Sequence, residues 1–241
     1  MNLELVLGSF ILFGAAMLQG LSGFGFSLLA LPFLTLLLPP IIVVPLLVIF
    51  SLLVNSVNFI SVMRFLDIKR IWFLLVGGLT GIPLGAYFLK HIDQKFLTLG
   101  ISAAVIFFCL ILIIGYRKKI GNPLALFPVG IISGIFCAGI SLSGPPVIIF
   151  LASRKVTKNY FRANLAFYFL ILNIVTVFVY LNNRMVSPEI ITRCLMYLPA
   201  LVLGLILGNI FAWKISEILF RKIILSILLI TGLTSLLINI L

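Results

Sequence analysis

The sequence predicts an all-α protein that crosses a membrane several times and is built from two homologous halves. Three observations carry that prediction. Apolar residues make up 63% of the 241 residues and charged residues only 9%, whereas a soluble domain needs far more charge on its surface. Apolar stretches long enough to span hydrocarbon recur from end to end. Finally, Leu21-Ser22-Gly23 returns as Leu142-Ser143-Gly144, 121 residues further on.

Hydrophobic runs bounded by charge, Pro, Gly or Asn fall at about 3–38, 41–62, 71–89, 96–115, 123–153, 161–181, 190–212 and 220–240. The first has Glu4 as its only charge and continues to Leu38. It therefore reads as a retained part of the fold and not as a cleaved signal peptide. Leu21-Ser22-Gly23-Phe24-Gly25 interrupts it, and Leu142-Ser143-Gly144-Pro145-Pro146 interrupts the fifth run. Backbone released from helix inside a bilayer cannot face lipid, because each unpaired N–H or C=O costs several kcal/mol. Such breaks in equivalent places of two halves point to a transporter's solute site.

The basic stretch 115–122 is the natural seam, dividing the chain into repeats at 1–119 and 120–241 of one integral membrane domain. A second match supports duplication: Gly81-x-x-x-Gly85-x-x-Phe88 returns as Gly204-x-x-x-Gly208-x-x-Phe211 at an offset of 123. The longer stripe Gly77, Gly81, Gly85 reads as a close-packing face, with its partner helix open between this fold and a second subunit.

Charge chooses between two topologies. If every run crosses once, one face collects Arg64, Lys69, Arg70, Arg117, Lys118, Lys119, Arg184 and Arg193, 8 positives against 9 on the other. No positive-inside bias survives, which is abnormal for a chain of net charge +12. If runs 1 and 5 are instead re-entrant hairpins, Lys90, Lys95, Arg184 and Arg193 stand alone, 4 against 13. Each half then has a broken, re-entrant first helix pair plus three crossings, an odd count that inverts one repeat relative to the other. The expected setting is the cell (inner) membrane, multi-pass, with both termini non-cytoplasmic.

A helix that restarts after a break offers free N–H groups and the positive end of its dipole. Ser22 and Gly23 precede one such restart; Ser143 or Gly144 can cap another, with Pro145 in its first turn, where no amide donor is needed. Gly23, Gly25 and Gly144 allow close approach of a ligand. Two such ends make an anion site without a buried cation. Candidate solute contacts are therefore Gln19, Ser22, Gly23, Phe24, Gly25, Ser141, Ser143, Gly144 and Pro145, with Asn55 and Asn173 at similar places in their repeats. The competing reading makes the breaks packing kinks. For Gln19, Ser51, Asn55, Asn58, Asn164, Asn173 and Thr176 it makes each singly an interhelical hydrogen-bonding residue.

Several function classes lose ground. Glu4, Asp67, Asp93, Glu189 and Glu217 lie at or near segment ends, so no carboxylate proton relay is expected at membrane depth. Cys109, Cys137 and Cys194 lack Cys-x-x-Cys spacing and read as small apolar residues. No cofactor, metal cluster, hydrolytic triad or phosphate-binding Gly-x-x-x-x-Gly-Lys is expected. The positives flank membrane segments and favour lipid headgroups over nucleic acid. Arg162 reads as a topology charge or headgroup anchor, with a vestibule role the lesser alternative.

Gln19-Gly20-Leu21-Ser22-Gly23-Phe24-Gly25-Phe26 with Pro32, Ser141 through Pro146, and Phe161-Arg162-Ala163-Asn164 through Asn173 together resemble the sulfite exporter TauE/SafE family over essentially the whole chain. The resemblance implies a permease for sulfite or small organosulfur anions, usually exporting them, and specifies family better than substrate. The expected partners are a small inorganic or organosulfur anion and the bilayer, with homo-oligomerisation open. An anion channel of the same architecture is the alternative, followed by a membrane enzyme or assembly subunit.

Overall fold

The structure is a computed structural model that describes residues 3–114, 124, 126–144, 147–148 and 158–211, without the side chains of Ser22, 108–114 and Lys158. The described elements are helices: α1 (Leu3–Ser22), α2 (Phe26–Leu34), α3 (Pro40–Val62), a 3-10 turn (Met63–Phe65), α4 (Ile68–His91), α5 (Gln94–Ile114), α6 (Leu126–Ile140), α7 (Lys158–Asn182) and α8 (Pro188–Phe211). They follow the apolar runs closely because the apolar pattern itself sets where backbone must be internally bonded. Among the described residues, five helices are long and apolar enough to cross a membrane. The seam at 115–122 and the last run lie outside the described residues.

Two compact units arise, and each draws on both halves of the sequence. Unit 1 holds α1, α2, α3 as far as Leu47, α5 and α8; unit 2 holds the rest of α3, the 3-10 turn, α4, α6 and α7.

In unit 1, α1 and α8 run side by side in the same direction. Near their starts Glu4 pairs with Arg193, which also bonds Glu189 at 2.9 Å. Further along, Gly8 faces the Tyr197 ring, and Gly204 and Gly208 sit against the carbonyls of Phe13 and Met17. A side chain at either of the last two would land on backbone, so glycine is what lets these helices touch. Gly20 closes the contact, with the Asn209 amide nitrogen 2.9 Å from where its Cβ would stand.

Unit 2 is built on a tighter version of that contact. Gly77, Gly81 and Gly85 of α4 lie against the carbonyls of Phe127, Ile131 and Ile135 on α6. Gly130 and Gly134 of α6 lie in return against those of Leu74 and Gly78. The glycine stripe thus finds its partner within this chain.

α7 joins them in parallel. At one end the Asp67 amide donates to Asn164 Oδ1 at 3.2 Å, and the Arg70 guanidinium stands 5.7 Å over the Tyr160 ring. At the other end Lys90 Nζ donates to the Asn183 carbonyl at 3.3 Å. α6 is parallel to α4, so α6 and α7 begin at the same end of the unit. A chain crossing the membrane once per hydrophobic run would make them antiparallel. Moreover, the 15 residues of α6 give about 22 Å of helix, less than a hydrocarbon core of about 30 Å.

Candidate functional site

The first break lies where the sequence places it. α1 ends at Ser22, and Gly23 and Gly25 take left-handed backbone with φ of 83° and 103°. These angles favour glycine, because a Cβ there meets the following carbonyl. α2 restarts at Phe26, and its first amide is not free: Gln19 Oε1 accepts from Phe26 N–H at 2.8 Å. The side chain singled out as a solute contact, 3% exposed, thus caps the restarting helix in the manner of an N-cap oxygen. Phe24 is half-buried and Gly23 buried. The Ser22 side chain lies outside the described residues.

The second break is built differently. α6 ends at Ile140, and Ser141, not a glycine, takes the left-handed conformation with φ of 57°. The amides of Ser141 and Leu142 reach back to the carbonyls of Cys137 and Phe136, each at 3.0 Å. Ser133 Oγ, two turns upstream, donates to the Ser143 carbonyl at 2.7 Å and holds the released strand against α6. Backbone is helical again at Gly144. Pro145 and Pro146 lie outside the described residues, and with them the cap expected of Ser143 or Gly144. A non-glycine left-handed residue costs about 1–2 kcal/mol and persists where its surroundings hold it, a pattern that clusters at functional sites.

Polar side chains from α6 and α7 gather beside this break. Cys137 lies 3.6 Å from Asn173 Oδ1 and 3.7 Å from Thr176 Oγ1. Tyr180 donates its hydroxyl to the Ala138 carbonyl at 2.5 Å. All five residues are buried. Asn173, Thr176 and Tyr180 recur at the three- and four-residue spacing that puts them on one face of α7. Asn173 is therefore brought beside the last turns of α6, next to Cys137. Asn55 is buried on α3 in the same unit, engaged in contacts of its own.

Sequence reasoning missed Ser133, Tyr168 and Tyr180; it noted Cys137 near the second break but favoured a small apolar residue there over a functional one. Ser133 and Cys137 are four residues apart and lead into Ser141, a spacing that would have flagged them. Tyr168 carried no such signal. Its fully buried hydroxyl has no hydrogen-bond partner and lies against Gly78, 2.7 Å from where a Cβ would stand.

Unit 1 has a cavity lined by Glu4, Leu5, Glu189, Thr192, Arg193, Met196 and Tyr197. Two carboxylates there face one guanidinium, which makes it a poor host for an anion. No group of three or more His, Cys, Asp or Glu among the described residues can hold a metal ion.

Neither a curated protein nor a solved structure matches the chain. A family model described as Sulfite exporter TauE/SafE matches residues 8–235, a span that holds both breaks and both glycine-packed helix pairs. On a match of that extent, the chain belongs to the sulfite exporter TauE/SafE family, a family of multi-pass membrane transporters.

Proposed function

We propose that this chain is a secondary carrier for a small oxyanion, sulfite or an organosulfonate, with export as its working direction. The observation that carries the reading is the second break. There a left-handed serine ends a helix inside unit 2; Ser133 on that helix bonds the Ser143 carbonyl, and Cys137, one turn before the serine, meets Asn173 and Thr176, all uncharged hydrogen-bonding groups. An oxyanion is better served by such neutral donors than by a buried cation, which would bind it too tightly to release. Asp67, Asp93 and Glu189 sit at helix boundaries and Glu4 in the first turn of α1, so the described residues offer no proton relay at depth. An inside-negative potential alone favours export of an anion by about 2.3 kcal/mol per charge per 100 mV.

Solute contact is assigned to Ser141, Ser143, Gly144 and Asn173; Gln19 is assigned to holding the first break in shape. The parallel course of α6 and α7 supports re-entrant hairpins, and with them inverted repeats and non-cytoplasmic termini. No covalent step is part of this reading.

Flux of labelled sulfite in proteoliposomes, with and without an imposed potential, tests it. Saturable, potential-sensitive flux competed by sulfonates is expected. Unitary currents in place of saturation would make the protein a channel. Absence of flux for sulfite and sulfonate alike would overturn the reading.

A further inference from the structure

Asn58 stands apart from the other buried asparagines. It lies on α3, little more than a turn before that helix ends, and is 3% exposed, yet neither Oδ1 nor Nδ2 has a hydrogen-bond partner. By contrast, Asn164 accepts from the Asp67 amide at 3.2 Å and donates to the Tyr160 carbonyl at 2.8 Å, and Asn173 accepts from Cys137. The part of α3 that carries Asn58 packs on α7, as the Phe59 and Phe167 rings are 5.4 Å apart. An interhelical hydrogen bond, the usual role of such a residue in a membrane, is therefore missing. A buried amide left unpaired is costly, and replacing it with an apolar group of the same shape relieves that cost.

We propose that Asn58 is a solute contact that selects a monoprotonated oxyanion, an anion carrying its own O–H. A carboxamide presents an NH2 donor and a carbonyl acceptor. A sulfite dianion or an alkylsulfonate offers acceptors only, so it would satisfy Nδ2 and leave Oδ1 orphaned. Hydrogen sulfite in its S–OH form satisfies both atoms: its hydroxyl donates to Oδ1 and one of its other oxygens accepts from Nδ2. No bond to sulfur forms or breaks. A site that hydrogen-bonds a substrate hydroxyl rejects an analogue lacking it far more strongly than an apolar pocket does. The assignment rests on the carrier reading above and adds to it the protonation state of the solute.

The test compares flux of sulfite and of methanesulfonate in proteoliposomes of the wild-type chain, Asn58→Leu and Asn58→Thr. Wild-type sulfite flux should fall as pH rises through the second ionisation of sulfite, and should exceed methanesulfonate flux by about tenfold or more below it. Asn58→Leu should melt at the same or a higher temperature and bring the two fluxes within about twofold of each other. Asn58→Thr keeps a donor and an acceptor and should retain part of the preference, which guards against misfolding of the leucine variant. If the wild-type chain carries neither anion, the carrier reading itself fails. If it carries sulfite and a folded Asn58→Leu keeps both the preference and the pH profile, Asn58 meets only water and this inference is overturned.

Discussion

The α1–α8 contact of unit 1 and the α4–α6 contact of unit 2 solve the same problem by different degrees of glycine use. Each joins a helix that ends in a break to a helix carrying Gly-x-x-x-Gly. In unit 1 the middle of the contact relies on Gly204 and Gly208 alone, with Gly8 facing a movable tyrosine ring. In unit 2 glycines interdigitate from both helices, and backbone meets backbone along the contact. The polar groups differ in parallel. Among the described residues, Asn58 and Tyr168 carry buried side-chain atoms without a hydrogen-bond partner, both in unit 2. Unit 1 uses its one amide at the break as a cap. A rigidly packed frame around unsatisfied polar groups suits a binding site; among the described residues, unit 1 has the frame without such groups.

The largest expected effect follows from the interdigitated pair. Gly134→Ala drives a Cβ into the Gly78 carbonyl with no side chain free to yield, and should cost about 3 kcal/mol or more, read as a lower melting temperature in detergent. Gly204→Ala should cost less, about 2 kcal/mol, because α1 can tilt away from α8 at a face with few glycines. Equal costs would remove the distinction between the two contacts. Gln19→Leu deprives the Phe26 amide of its acceptor and should cost about 1–2 kcal/mol. Its transport should fall only in proportion to folded protein. The smallest change has the opposite sign: Ser141→Gly relieves left-handed strain and should stabilise by about 1 kcal/mol. A destabilised glycine variant would mean that the Ser141 side chain contributes more than the strain costs.

The sequence made the frame legible and the site only partly so. Helix positions followed from unbroken apolar runs, since in hydrocarbon the backbone has no alternative to internal bonding. The first break was visible because two glycines mark left-handed backbone. At the second break the left-handed residue is a serine, which no rule of composition reveals. The glycine stripe announced close packing, but its partner depends on which helices share a unit, and each unit mixes sequence halves. Gln19 was read as facing solute because polarity shows that a partner exists without saying which. Asn58 and Asn164 have the same side chain and similar burial; only the structure separates the satisfied one from the orphan.

The measurement that bears most directly on this account is labelled-sulfite flux in proteoliposomes containing wild-type protein, Asn173→Leu or Gln19→Leu, at matched amounts of folded protein. Saturable flux is predicted in the wild type, with loss in Asn173→Leu at the second break and retention in Gln19→Leu at the first. Retention in Asn173→Leu with loss in Gln19→Leu would put the solute at the other break and contradict it.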